Sequence, residues 1–136
     1  MITFDGDLDG VSENQLMAPD WYPVRIESAE SIVSANGNPG IAIDSIVVAG
    51  DQQGMHIWWR HYFNSDKPTG IAFLQGRLKK MLKAAGVPWS ADGNRTSFDE
   101  NALVGKMLQA KQVIKKNDRT DEDQNEVNSW RQIDAE

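Results

Sequence analysis

The chain has 136 residues and a formal net charge of −6, with 40% hydrophobic and 25% charged residues. This length and composition predict one soluble domain with its own core, and no apolar run approaches the ~20 residues that a membrane helix needs. Cysteine is absent, which excludes disulfide scaffolds, thiol catalysis and thiolate metal sites. Because no signal-like segment opens the chain, we expect an intracellular protein.

The charges are unevenly distributed along the chain. Residues 1–30 carry seven acidic side chains and one basic one, and residues 117–136 carry seven and two. Residues 57–116 instead carry eleven basic and four acidic side chains. Affinity for a phosphate backbone follows local rather than global charge, so the basic middle is compatible with nucleic acid. The acidic ends are expected to compete with nucleic acid for it.

The first half of the chain predicts an arm and three strands. Residues 1–20 show no sustained period and are interpreted as an acidic arm. A strand is predicted over 21–33 and a second over 41–48, separated by the turn sequence Asn36-Gly37-Asn38-Pro39-Gly40. A third follows over 55–63, where aromatic and β-branched residues dominate.

This third strand is the most informative segment, because alternate side chains of a strand point to opposite faces. The predicted core face carries Met55, Ile57, Trp59, His61 and Phe63. The opposite face carries His56, Trp58, Arg60 and Tyr62. Rings beside a guanidinium offer what single-stranded nucleic acid requires, namely stacking surfaces for bases and a cation for phosphate. The alternative is an exposed edge on which the Arg and Tyr side chains lie along apolar surface.

A helix is predicted next, over residues 71–85. Thr69 is the expected N-cap, and Gly86 followed by Pro88 the expected stop. The apolar residues recur at helical spacing, at Ile71, Leu74, Leu78, Met81, Leu82 and Ala85. The cations Arg77, Lys79, Lys80 and Lys83 fall on the other side, where a solvated face is the favoured interpretation over a phosphate site. Residues 89–106 are predicted to be irregular.

Two further strands complete the prediction, over 107–116 and 127–133. In the first of them Lys111 and Lys115 alternate with a more apolar set that includes Leu108 and Ala110. Lys115, Lys116 and Arg119 are expected at the loop that joins the two strands.

Three strands, a helix and two strands are the element order of the OB-fold, an all-β, partly open five-stranded Greek-key barrel with its helix between strands 3 and 4. We assign this domain to residues 21–133, with 134–136 as a short C-terminal end. Such barrels bind oligonucleotides on the face of strands 2 and 3 and with nearby loops. The predicted nucleic-acid-binding residues are therefore His56, Trp58, Arg60, Tyr62, Lys111, Lys115, Lys116 and Arg119.

An ordered set of segments between Trp21 and Trp130 carries a resemblance to a known family. The set consists of Arg25-Ile26-Glu27-Ser28-Ala29-Glu30, Asn36-Gly37-Asn38-Pro39, the helix and stop from Arg77 to Pro88, Leu103-Val104-Gly105-Lys106, and Gln124-Asn125-Glu126-Val127. It resembles a family of small bacteriophage proteins, long of unassigned function, that look like OB-fold single-stranded DNA-binding proteins. No motif of that family assigns binding residues, so none is transferred.

The resemblance implies a phage replication or recombination accessory that coats single strands in the cytoplasm of the bacterial host. The implied partners are single-stranded DNA and phage or host replication proteins. Many single-strand binders end in an acidic tail with an aromatic tip. Because this sequence finishes at Ile133-Asp134-Ala135-Glu136, we do not expect such a tail to recruit partners.

Other classes of function were weighed against this one. An enzyme is not expected, because His56 and His61 fall on opposite strand faces and no phosphate loop or dinucleotide fingerprint is present. No cofactor or metal is predicted. The acidic ends favour an alternative, a phage protein that inhibits a host nucleic-acid-binding enzyme by mimicry. A structural virion protein is a third possibility.

Overall fold

The computed structural model describes residues 1–10, 16–65, 67 and 69–133. Within these ranges the strands and the helix are β1 (Asp20–Val33), β2 (Pro39–Val47), β3 (His56–Tyr62), α1 (Ile71–Ala85), β4 (Ser90–Asp92), β5 (Arg95–Ser97), β6 (Met107–Lys116) and β7 (Asp123–Arg131). Short 3-10 helices occupy Leu8–Gly10 and Glu100–Leu103. The expectation about the C-terminal tail concerns residues 134–136, which lie outside the described ranges.

Five strands form one antiparallel sheet in the order β3-β2-β1-β6-β7, and the helix lies between β3 and the next strands of the chain. The long strand β1 is shared, because Asp20–Arg25 pair with β6 and Val24–Val33 pair with β2, so that Val24 and Arg25 have a partner on both sides. A register shift between Ile26 and Ser28 marks an irregularity of the bulge type, which increases local twist and bends a strand. The predicted mostly-β architecture with one helix is thus confirmed.

The described residues do not form a closed barrel. No pairing joins the edge strands β3 and β7 within that part of the chain. The sheet nevertheless coils enough for these edges to approach across the core. The rings of Trp59 on β3 and Trp130 on β7 make an edge contact with centroids 5.4 Å apart.

The core lies between the inner face of this sheet and α1. The helix contributes Leu78, Met81 and Leu82, all buried, at the spacing that the sequence predicts for its apolar face. The sheet contributes Val24, Ile26, Ile41, Ile43, Ile57, Trp59, Leu108, Ala110, Val127 and Trp130. Burial of each large aliphatic side chain contributes roughly 1.5–3 kcal/mol, which is what fixes α1 against this face.

The alternation predicted for β3 is confirmed along the strand itself. Ile57, Trp59 and His61 are buried, whereas His56, Trp58 and Arg60 are exposed. The prediction is wrong for Met55, which precedes β3 and is exposed because it belongs to the end of the β2–β3 turn.

Several local predictions are also corrected. The N-cap of α1 is Gly70 rather than Thr69; Gly70 has a φ of 99° and makes no side-chain capping bond. Residues 89–106 are not wholly irregular, because β4 and β5 pair there as a separate hairpin. The last strand begins at Asp123 rather than 127 and ends at Arg131. Lys115 and Lys116, which were predicted in the loop, are the last two residues of β6.

The segment just before β1 is held to the sheet. Met17 is 3% exposed, its N–H donates to Asn125 Oδ1 at 2.7 Å, and Asn125 Nδ2 donates back to the Met17 carbonyl at 2.9 Å. Met17 thus packs with the domain core although the sequence assigned it to the arm. In the described part of the chain, no helix is long and apolar enough to cross a membrane.

Candidate nucleic-acid interface

The outer face of the sheet is the side turned away from α1 and the core. Strand pairing places its residues in rows that cross the strands. His56 is opposite Ile46 on β2, Trp58 opposite Asp44, and Arg60 opposite Ala42. The four β3 residues predicted as ligand contacts are thus brought together on one surface, with β2 beside them.

Trp58 is the most prominent side chain of this face. It is 68% exposed, which is a large apolar area for a sheet residue to leave in water. Its ring stacks on the imidazole of His56, with centroids 5.5 Å apart and planes inclined by 12°. His56 Nδ1 is in turn 2.7 Å from Asp44 Oδ1. The carboxylate and the imidazole therefore hold the indole from one side and leave its other surroundings open.

A shallow groove of about 390 Å³ lies beside Trp58. Arg60 and Trp58 form its β3 side, and Ala42 gives it a low floor. Arg60 is exposed, and it forms no ion pair with any described residue. Asp44 on β2 and Glu30 on β1 line the rest of the groove, so an anionic group is favoured near Arg60 and disfavoured near these two carboxylates.

Tyr62 lies at the end of this row of side chains and is half-buried. It is opposite Gly40, where a Cβ would lie 2.7 Å from Tyr62 Cδ1 and 2.6 Å from the His61 carbonyl oxygen. Glycine is thus required for the phenol ring to lie against β2. Tyr62 therefore offers one ring face at most, in contrast to the projecting Trp58.

The predicted cations of β6 and the following turn are not gathered with the β3 residues. Lys115 Nζ lies 3.5 Å from Glu126 Oε2, and Lys116 Nζ lies 3.3 Å from Asp121 Oδ1. Arg119 lies in the β6–β7 turn. Asp20, the first residue of β1, pairs with Gln112 on β6. The part of β6 after Gln112, which carries Lys115 and Lys116, therefore extends past the end of β1.

Lys111 belongs to a second cluster on the outer face. The Arg131 guanidinium carbon lies 4.1 Å from the centroid of the Trp21 ring, and Lys111 Nζ lies 5.9 Å from it. Gln109 accepts a hydrogen bond from Arg131 Nε and so fixes the guanidinium. Two cations over one indole are a favourable cation–π arrangement and also a possible stacking surface.

Sequence reasoning missed Trp21 and Arg131 as site residues. Part of the signal is in the sequence, because alternation along residues 21–33 puts Trp21 on the face opposite to Val24 and Ile26. What sequence could not provide is the register, which places Trp21 beside Lys111 and Gln109 beside Arg131.

A row of paired residues crosses the sheet from His56 on β3 to β6. His56 pairs with Ile46, Ile46 with Arg25, and Arg25 with Met107 on β6. Met107 is 47% exposed, and Arg25 is paired with Glu27 at 2.7 Å. With neighbouring strands ~4.8 Å apart, the distance from β3 to β6 is roughly 14 Å. Trp21 lies four residues from Arg25 along β1, roughly 13 Å away from this row, so only an extended ligand could contact both aromatic clusters.

His61, the other histidine, belongs to the core and not to this face. Its ring stacks on Trp59 with centroids 4.6 Å apart, and its Nε2 lies 2.6 Å from the Leu74 carbonyl oxygen. Burial lowers the pKa of His61 below its ordinary value of 6.5; the bond to Leu74 opposes this shift, and the charge of Arg77 adds to it. The imidazole is therefore a neutral donor that ties β3 to α1.

Comparison of the sequence with known protein families identifies the family to which the chain belongs. A family model described as a protein of unknown function (DUF669) matches residues 4–136, so the chain belongs to that family. No curated protein shows significant similarity to the chain.

Proposed function

We propose that this member of the DUF669 family binds single-stranded DNA in a sequence-tolerant manner, through the outer face of its five-stranded sheet. The single observation that carries the proposal is Trp58. It is 68% exposed, oriented by His56 and Asp44, and adjacent to Arg60, which forms no ion pair within the described part of the chain. A base that stacks on such a ring gains roughly 1–3 kcal/mol whatever its identity.

The architecture supports the same proposal. The five-stranded sheet, with the helix after β3, is consistent with the OB-fold, whose ligand face is formed by its second and third strands. The edge contact of Trp59 with Trp130 is compatible with a partly open barrel of this type. We infer that the domain is an OB-type barrel and that β2 and β3 carry its binding face.

The choice of DNA and of biological role rests on resemblance rather than on geometry. The ordered segments between Trp21 and Trp130 resemble phage single-stranded DNA-binding proteins. We accordingly propose a role in coating single strands during phage DNA replication or recombination, in the cytoplasm of the bacterial host. Phage or host replication proteins are the proposed protein partners.

A second candidate function, mimicry of nucleic acid, is favoured by one observation. Residues 1–10 are exposed along their whole length and carry Asp5, Asp7 and Asp9 without a basic residue. Such an arm could occupy the basic channel of a host enzyme. Asp44 and Glu30 on the outer face also weaken its attraction for phosphate.

Fluorescence anisotropy with labelled oligonucleotides separates these functions. We expect the full-length protein to bind single-stranded DNA of mixed sequence more tightly than a duplex of the same length. Affinity should fall between about 50 and 200 mM salt, because phosphate contacts release counterions. A preference for duplex, or no binding to either, would contradict the proposal, and no binding would favour mimicry. A matched RNA strand tests the choice of DNA.

A further inference from the structure

The arm and one groove of the domain are both left uncovered. Because Met17 packs with the core, the acidic arm is restricted from here on to residues 1–10 of the predicted 1–20. Besides its three aspartates it carries Met1, Ile2, Phe4 and Leu8, all exposed. Four apolar side chains among ten residues are more than a solvated acidic segment requires. The described residues of the same chain cover none of them.

The second uncovered feature is the helix groove, a depression of about 340 Å³ between α1 and β7. Its floor is formed by Trp59 and Trp130, and its helix side by Phe73, Arg77 and Lys80. Phe73 is 64% exposed, with the Arg77 guanidinium carbon 4.9 Å from its ring centroid. The groove therefore combines aromatic surface with cations.

The charge of this helix is unbalanced. α1 carries Arg77, Lys79, Lys80 and Lys83 and no acidic residue. None of the four forms an ion pair with another described residue. An acidic segment that also brings apolar side chains matches this groove in both charge and surface type.

We propose that the acidic arm of one copy binds in the helix groove of a second copy, with Asp5 and Asp7 near Arg77 and Lys80 and with Phe4 against Phe73. The second copy is chosen because the arm of the same copy lies exposed and outside the groove. A ten-residue arm buries less area than a standard interface, so the association is weak and depends on concentration and salt. The proposal does not depend on DNA binding.

Sedimentation equilibrium of the full-length protein without DNA tests it. We expect the weight-average mass to rise with concentration near 50 mM salt and to return to the monomer value near 500 mM, where charges are screened within about 4–5 Å. Arg77→Glu with Lys80→Glu should abolish the rise, as should Asp5→Asn, Asp7→Asn and Asp9→Asn together. Phe73→Ala should weaken it severalfold.

Two controls make the test specific to the groove. Lys79→Glu with Lys83→Glu changes the charge of α1 equally but lies outside the groove, and should retain association. Changing the three arm aspartates to lysine in the Arg77→Glu, Lys80→Glu variant should restore it. Trp58→Ala should leave the association unchanged, because Trp58 belongs neither to the groove nor to the arm. A failure of the proposed DNA binding would therefore be distinguished from a failure of the association.

Three outcomes would overturn the proposal. One is a monomer at every concentration, which means that no second copy is bound. Another is association that persists in the arm and groove variants. The last is a monomeric protein whose groove variants lose affinity for oligonucleotide, which would assign the groove to nucleic acid.

Discussion

Trp58 and Trp59 are adjacent and chemically identical, yet β3 places them in opposite environments. Trp58 is 68% exposed, whereas Trp59 is 6% exposed between His61 and Trp130. We expect Trp59→Ala to lower the free energy of unfolding by about 3–5 kcal/mol. Trp58→Ala should change it by less than about 0.5 kcal/mol, but should weaken single-strand binding by roughly 1–3 kcal/mol. Chemical denaturation and anisotropy on each variant measure these effects.

A matched control for this pair is Trp89→Ala. Trp89 is 37% exposed and follows the helix, away from the outer face of the sheet. The Trp89→Ala variant should bind single-stranded DNA as tightly as the parent protein. Equal losses of binding for Trp58→Ala and Trp89→Ala would show that tryptophan content, not the β3 surface, governs affinity.

His61 predicts a pH dependence of stability. Because burial lowers its pKa below the ordinary 6.5, the unfolded chain takes up a proton at a higher pH than the folded protein does. The contribution of neutral, buried His61 to the free energy of unfolding is therefore fully present above about pH 6.5. It is lost as the pH falls from there toward the pKa of His61 in the folded protein. We expect the free energy of unfolding to decrease from about pH 7 to about pH 5.5, above the range where most carboxylates titrate.

The His61→Gln variant isolates this contribution, since glutamine keeps a donor for the Leu74 carbonyl but does not titrate. It should flatten the pH profile whatever its absolute stability. His56→Gln is the control, because His56 lies on the surface beside Asp44 and its removal should leave the fall below pH 7 in place. An unchanged profile in His61→Gln would refute the assignment.

Among the elements, those with a clear apolar period could be predicted from the sequence. Alternation identified β1, β2, β3 and β6, and helical spacing identified α1 from its first to its last residue. The β4–β5 hairpin could not be found this way. Its three-residue strands, Ser90–Asp92 and Arg95–Ser97, are wholly exposed, so burial imposes no pattern on them. The predicted N-cap, Thr69, was wrong. The residue at the N-cap is Gly70, which has a left-handed conformation that glycine adopts readily, and no side chain caps the helix.

The candidate site was predictable where it lies within one strand and not where it depends on pairing. The exposure of Trp58 and Arg60 follows from alternation in β3 alone. The contact of Trp21 with Arg131 joins residues from β1 and β7, which meet only because both flank β6. The pairing of Lys116 with Asp121 likewise depends on a turn in which Asp121 has a φ of 59°.

At the scale of the whole molecule, a net charge of −6 must be reconciled with the anionic ligand that we propose. The acids are concentrated toward the chain ends, but the folded structure brings some of them back to the cations, as Asp121 is brought to Lys116. Such surface pairs contribute only about 0–1 kcal/mol to stability, yet they compete directly with phosphate. If the protein binds DNA as proposed, its main phosphate contacts would be Arg60, Lys111 and Arg131, which form no ion pair with any described residue. Three contacts predict a slope of log affinity against log salt of about −2.

Releasing one paired lysine tests whether the β6–β7 hairpin contributes to the same surface. Asp121→Asn removes the partner of Lys116, and asparagine tolerates the positive φ at this position. If the hairpin contacts DNA, we expect higher affinity at low salt and a slope steeper by about 0.7, the value of one added phosphate contact. Asp92→Asn gives the same change in net charge at the exposed β4–β5 hairpin, and should shift neither quantity beyond the small effect of net charge. Salt titrations of both variants beside the parent protein measure the difference. If Asp121→Asn and Asp92→Asn behave alike, Lys116 lies outside the DNA path, and the binding surface ends at Lys111 and Arg131.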